Sequence, residues 1–356
     1  MALFGIEIQV FYSLTNSLYA LDTILECKLC QGTNHKLLFF AEDHYSGDRF
    51  ALVMCCNCKL IFTNPRPSSD VLSKYYPPSY YGANGKRFHP ILEHVVQYFR
   101  KQLADRISSR YPNGGRILEV GSGRGTLLSE MSRKGWSAVG TEYSASLAKS
   151  TGDSFGVFVY PTPDLRDCNF PDRYFDVVVC NHVLEHLTDP IGTLIEIRRI
   201  LNPIGLLIIA VPNIGGIVAR VSKDQWFGVD VPRHLFHFSP DTLKMALTLT
   251  GFQVNSQTTL SFEQDIFGFA QSILNLTGLP YNIFYDFIRL PSAKLRHRFA
   301  DRGQMTRILW YIVILIIGGA LSIVGLLIVP IVSWIGKGGT IEYWASPTPA
   351  VPQDLI

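Results

Sequence analysis

Four cysteines stand in two Cys-x-x-Cys pairs, Cys27 with Cys30 and Cys55 with Cys58, 24 residues apart. Paired soft thiolates on tight turns are the ligand pattern of a structural, tetrahedral zinc ion. Four sulfurs leave no open coordination place, so such an ion would build a fold rather than catalyse, and Cys56 could only compete for a ligand place. A second group is a glycine-rich turn, Gly121, Gly123 and Gly125, with Glu119 two residues before it and Glu142 23 residues beyond that acid. Glycine lets backbone turn sharply or lie against a ligand, and a carboxylate accepts from both hydroxyls of a ribose. A third group is His182, His186, His234 and His237. Histidine is the side chain suited to take a proton near neutral pH.

Elements must position these groups. Arg116 to Val120 reads as a strand feeding the glycine turn, and TLLSEMSRK as the helix after it. SAVGT, GVFVY and FDVVVC read as further strands, with a helix from about Pro190 to Leu201, a strand in LNPIGLLIIAVPN, and a helix near Pro240 capped by Ser239. Strands alternating with helices predict a mostly parallel α/β sheet. Residues 90–110 place Ile91, Val95, Phe99, Leu103 and Ile107 on one face of a helix. Between the cysteine pairs, KLLFF and RFALVM read as short strands. The third glycine of G-x-G-x-x-G is replaced by Thr126, which argues against a dinucleotide site.

The E-x-G-x-G-x-G string from Glu119, the Phe175-Asp176 and Leu184-Glu185-His186 segments around the fourth strand, and LNPIG resemble the class I S-adenosylmethionine-dependent methyltransferases. The cysteine pairs, TNPRP and the tyrosines Tyr75, Tyr76, Tyr80 and Tyr81 ahead of them resemble methyltransferases of polysaccharide and lipid-glycan gene clusters. The resemblance implies a Rossmann-like, seven-stranded sheet behind a small N-terminal zinc ribbon. It implies that Glu119 faces the amino end of S-adenosylmethionine, the glycine turn underlies the ribose and arm, Glu142 holds the ribose, and Asp164 and the Leu165 backbone meet the adenine, with Asn181 joining the cofactor set. His234 and His182 are the candidate bases, and the acceptor is a small-molecule or glycolipid hydroxyl. Two rivals stand beside this reading: a zinc-ribbon binding protein with a vestigial α/β domain, and a nicotinamide-dependent reductase.

Net charge is 32 − 29 = +3, which gives no reason to expect a nucleic-acid partner. The N-terminus lacks a basic segment of the secretory kind, so a reducing, cytoplasmic setting is expected. Ile308 to Ile335 carries no charge over 28 residues and follows six cations, Arg289, Lys294, Arg296, Arg298, Arg302 and Arg307. That pattern predicts contact with an anionic membrane surface. A seventh strand is expected at Thr340–Ser346, so the apolar run must return to its own side, which predicts a membrane-dipping hairpin or two short helices in an insertion; a single span and a buried helical pair or dimer interface are the alternatives. The expected divisions are 1–23 an extension, 24–85 the ribbon and linker, 86–260 the core, 261–339 the insertion and 340–356 the last strand and tail.

Overall fold

The computed structural model describes residues 21–76, 90–289 and 304–348. Tyr80, Tyr81, most of the N-terminal extension and Lys294 to Arg302 lie outside them.

The N-terminal part holds strands β1 (Leu21–Asp22), β2 (His35–Glu42), β3 (Arg49–Cys55), β4 (Ile61–Thr63) and β5 (Arg66–Pro67). The central sheet is built from β6 (Arg116–Val120), β7 (Ser137–Glu142), β8 (Phe158–Pro161), β9 (Phe175–Asn181), β10 (Leu201–Pro212), β12 (Phe252–Thr258) and β13 (Thr340–Pro347). Its order is β12-β13-β10-β9-β6-β7-β8. Neighbours from β8 to β10 pair in parallel, while β13 runs antiparallel to both β10 and β12. This is the expected α/β, Rossmann-like seven-stranded sheet, closed by the strand expected at Thr340. Val177, Val178, Val179 and Cys180 are fully buried, as expected of a central parallel strand covered on both faces.

Helix Thr126–Arg133 follows the glycine turn. Helix Pro240–Leu249 starts with a capping box in which Ser239 and Thr242 satisfy each other's backbone N–H. Helix Pro90–Arg110 covers the sheet through Leu103, Ala104 and Ile107, which pack with Ile117, Leu127 and Trp136.

The cysteine segment is not a separate module. Strand β11 (Phe236–His237) belongs in sequence to the core, yet it pairs with β4 as the fourth strand of the β11-β4-β3-β2 sheet. Val53, Leu60 and Phe62 then share one core with Leu118, Val178 and Phe236. The fully buried Arg233 pairs with Asp43 at 2.6 Å and with Asp230 at 2.7 Å, which ties the two regions by charge as well.

The apolar run departs from the expected hairpin. Gln304–Trp334 is one helix of 31 residues, about 46 Å long, and by length and composition it could cross a membrane. The glycine pair makes no turn because Gly318 serves close packing. A Cβ there would lie 2.5 Å from the Phe284 ring. The outward leg of the insertion is carried instead by helices Phe262–Asn275 and Ile283–Ile288. Ala270, Leu274, Phe284 and Ile314 form their joint core, and Phe287 meets Tyr311 edge-on at 4.6 Å. Pro330 lies one turn before the helix end, where its missing N–H removes a single bond.

Candidate active site

The carboxyl ends of β6, β7 and β9 form one edge of the sheet, where ligands of open α/β folds bind. Glu119 is the penultimate residue of β6 and Glu142 the last of β7, on adjacent parallel strands. The Glu142 carboxylate accepts from the backbone N–H of Gly123 and of Ser144, each at 3.0 Å. The turn is held to β7 again by Ser122 N–H donating to the Thr141 carbonyl at 2.8 Å. Gly121, Gly123 and Gly125 all have positive φ, at 65°, 52° and 65°. Among the described residues a Cβ on Gly123 would meet nothing within 4 Å, so open space lies beside that backbone.

Glu119 is 7% exposed, and among the described residues its Oε2 has no hydrogen-bond partner. Burial pushes its carboxyl up to about 8, against the opposing charge of Arg100. Burial also raises Glu142, against its backbone donors. An orphaned, buried carboxylate beside an open glycine cradle fits a ligand bearing a cationic amino group and a ribose, so the residues present fit S-adenosylmethionine. Asn181 ends β9 and, with His182, lines a smaller cavity with Arg100 and Ser261.

Asp164 does not stand free. Its carboxylate caps the turn Leu165–Cys168, accepting from Arg166 N–H at 2.9 Å, and it also binds the Arg166 guanidinium at 2.6 Å. That pairing holds it below the usual carboxylate range. Leu165 is buried. Facing an adenine would require Asp164 to release Arg166, so here the structure departs from the role implied for this side chain.

His182 and His234 come together, with Glu185 between them. The segment after β9 is a single tight turn, Leu184–His186, and the following helix begins only at Pro190 with Asp189 as its cap. The convergence therefore comes from a turn, not a helical face. His182 has a left-handed φ of 56° and puts Nδ1 3.6 Å from Glu185 Oε1. His234 Nε2 lies 4.0 Å from Glu185 Oε1 and 4.0 Å from Asp230 Oδ2. The His234 Nδ1–H donates to the Gly228 carbonyl at 2.9 Å, and His186 Nδ1–H donates to the Arg233 carbonyl at 3.0 Å. A carbonyl can only accept, so in the neutral rings both Nε2 atoms carry lone pairs.

Glu185 is 1% exposed and neither oxygen has a hydrogen-bond partner among the described residues. Burial pushes it up, but the interaction with His182 and the charges of His186, His182 and His234 bring it down to about 2. Burial and the His234 charge lower His186 to about 4 and His237 to about 3. Donor atoms of Glu185, His186 and His234 lie within 4.8 Å of one another, so the cluster could hold a proton or a cation.

These groups open on a cavity of about 270 Å³, bounded also by Asp265, by His44 and Tyr45 of the ribbon, and by Ile328, Val329 and Val332 of the long helix. Burial raises Asp265 to about 6. In the sequence Glu185 stands only as part of Leu184-Glu185-His186, and nothing in the local pattern marks Asp265 or His44. Asp230 alone carried a signal, standing four residues before His234.

The four ribbon sulfurs converge. Cys27 and Cys58 are 3.5 Å apart, as are Cys30 and Cys55, and all four lie within 4.8 Å. Sulfurs at about 2.3 Å from a tetrahedral zinc stand roughly 3.7 Å from each other, so the set fits that ion. Burial pushes Cys27 up to about 11, a cost that a bound cation reverses. Tyr75 is buried and donates to Asp48 at 2.9 Å, while the Tyr76 hydroxyl lies 3.2 Å from His186 Nδ1.

Residues 92–257 match the family model described as "Methyltransferase domain". The ubiquinone biosynthesis O-methyltransferase of Cereibacter sphaeroides is 28% identical over 127 residues, covering 34% of this chain and 51% of that protein. The protein of the same name from Rhizobium johnstonii is 26% identical over 191 residues, covering 49% and 76%. The chain thus spans about half the length of the Cereibacter relative. Among solved structures, a SAM-dependent methyltransferase from Archaeoglobus fulgidus superposes with a TM-score of 0.42 at 17% identity, covering 69% of this chain and 94% of that one. The similarity to methyltransferases thus lies over residues 92–257, the stretch that matches the methyltransferase domain model.

Proposed function

We propose that the protein moves the methyl group of S-adenosylmethionine to a hydroxyl of a sugar, a lipid-linked glycan or a lipid intermediate at the cytoplasmic surface of a membrane. One observation carries this reading: at the carboxyl edge of the sheet, Glu119, with a buried Oε2 that no described residue hydrogen-bonds, stands beside an open glycine turn, and the neighbouring strand β9 leads through Asn181 and His182 into the cavity that holds Glu185 among histidines. Glu119 takes the cationic amino group, Glu142 and the Gly123 backbone take the ribose, and Asn181 borders the methyl end. The bound donor supplies an already activated methyl group. What the chain must add is alignment, which can supply up to about 7–11 kcal/mol, and a place for the hydroxyl proton.

His234 or His182 accepts that proton as the oxygen gains the methyl and the carbon–sulfur bond breaks. Glu185 stays ionised and steadies the imidazolium that results. The zinc ion held by Cys27, Cys30, Cys55 and Cys58 is structural: it fixes the sheet whose fourth strand follows His234. The apolar face of Gln304–Trp334 rests on the membrane.

Calorimetry with S-adenosylmethionine and with NADPH tests the cofactor, and mass spectrometry of products tests the acceptor. Saturable S-adenosylmethionine binding with no NADPH binding is expected. The reverse would return the reductase reading, and binding without transfer to any acceptor would return the non-enzymatic one.

A further inference from the structure

The cavity at the histidines has two unlike walls. One is polar, with His182, Glu185, Asp230 and His234. The other is the C-terminal part of the long helix, Ile328, Val329 and Val332, with Phe269 beside it. The same helix turns its other side outward: Leu327 is 70% exposed and Trp334 88%, and Ile323 and Ile331 are exposed as well. Wall and outer face are thus neighbouring sides of the same helical turns. Both sides of the helix's attachment are fixed, through Phe284 at Gly318 and through Thr259, whose carbonyl accepts from Ser333 Oγ at 2.9 Å. The helix is thus held to its neighbours both at its middle and at its end.

Resting on the methyltransferase reading above, we propose that the acceptor is a membrane-resident amphiphile drawn from the bilayer past the last turns of this helix. Its hydroxylated headgroup meets His182 and His234, its first apolar carbons lie on Ile328, Val329 and Val332, and the remainder of its chain stays among the lipids that cover Leu327, Ile331 and Trp334. The occupant of the outer face is a lipid bilayer. No charge occurs from residue 308 to 335, and the segment 294–307 that leads into it holds five cations, Lys294, Arg296, Arg298, Arg302 and Arg307, against one acid, Asp301. That imbalance suits an anionic leaflet.

The test uses the full chain with tritiated-methyl S-adenosylmethionine and two acceptor sources from the source cells, a lipid extract formed into vesicles with phosphatidylglycerol and an aqueous small-molecule extract. Label is expected in the lipid arm, in butanol-extractable product. Val332→Asn should lower that labelling at least tenfold while still floating with vesicles and binding S-adenosylmethionine, and Val332→Ala should lie between it and the parent. Ile331→Asp should cut flotation itself.

Label in water-soluble product alone, or in neither arm while S-adenosylmethionine binds, overturns the proposal. So does sedimentation showing the apolar face buried between two copies of the chain with no vesicle binding. Loss of S-adenosylmethionine binding by the parent protein would instead sink the methyltransferase reading beneath it, so the two failures are distinguishable.

Discussion

The backbone N–H of Gly123 donates to the Glu142 carboxylate across 3.0 Å, so the glycine turn after β6 and the acid ending β7 form one unit. Removing either partner should disturb the same binding site. Glu142→Ala is expected to weaken S-adenosylmethionine binding about 10- to 100-fold, the effect of losing a charge-assisted hydrogen-bond pair worth about 1.5–3 kcal/mol. Gly123→Val puts a branched residue at a φ of 52° and into open space that the ligand would fill. It should lose affinity comparably. Calorimetric titration of both variants, with melting curves to confirm folding, checks the pair; unchanged affinity in both would remove the ribose role.

Glu119 should make S-adenosylmethionine affinity depend on pH. Burial holds its carboxyl up at about 8, so the ligand-free protein carries it protonated at neutral pH. Its folded pKa lies above the unfolded one, so the native state binds more protons between roughly pH 4.5 and 8 and its stability falls as pH rises through that window. A cationic amino group favours the ionised form, so binding releases a proton below pH 8. Affinity should therefore rise from pH 6 to 8 in the parent and stay flat in Glu119→Gln, which should also melt higher than the parent at pH 8. Titrations in buffers of different ionisation enthalpy read the proton directly.

The parallel sheet was readable because buried strands such as FDVVVC are apolar without interruption and the helices between them carry caps like Ser239. The glycine turn and its two acids were readable because they sit at strand ends, where spacing along the chain fixes spacing in space. The acceptor side was not. Glu185 becomes central only because a left-handed φ at His182 and one tight turn swing three side chains together. His44 reaches the same cavity from a ribbon loop 141 positions earlier than Glu185 (185 − 44), and local pattern carries no information about that contact. The hairpin expected in the apolar run failed for a related reason: Gly318 answers to Phe284, a residue 34 positions away (318 − 284), rather than to a turn of its own.

Zinc removal should harm transfer more than cofactor binding. The ribbon sheet takes β11 as its fourth strand, and Thr63 Oγ1 donates to the His234 carbonyl at 3.0 Å. A double variant, Cys27→Ser with Cys58→Ser, is expected to lose the ion by elemental analysis and to lower the melting temperature. Methyl transfer should fall at least tenfold while S-adenosylmethionine still binds at Glu119 and Glu142, which hang on the other sheet. Equal losses in both would show the ribbon to be a general support rather than the mount of His234.

If an imidazole takes the hydroxyl proton, its removal should cost about 10²–10⁴ in kcat. His234→Ala and His182→Ala are the two tests, and the larger loss identifies the base. Cofactor affinity should be untouched in His234→Ala, since that residue lies beyond the cleft. Glu185→Gln keeps the shape and removes the buried charge that three histidines face. It should weaken the imidazolium and shift the acidic limb of the kcat profile to lower pH, a change that loss of packing alone would not produce.

The docking of the long helix depends on the absence of a side chain at residue 318. A Cβ there would stand 2.5 Å from the Phe284 ring, with other atoms of that ring at 2.6 and 2.7 Å. These are carbons of a ring that stacks on Phe267 and belongs to the same core as Ile314, so they cannot move aside as the end of a flexible chain could. Gly318→Leu should therefore destabilise the packed helices by about 1–3 kcal/mol, the usual cost of forcing carbon atoms into a filled core. Phe284→Ala should cost about 3–5 kcal/mol through the cavity it leaves. The two together should be less harmful than their sum, because the added leucine occupies space the ring has vacated. Denaturant melts of the two single variants and the double variant measure that coupling; strict additivity would mean the two residues do not meet and that the helix is held some other way.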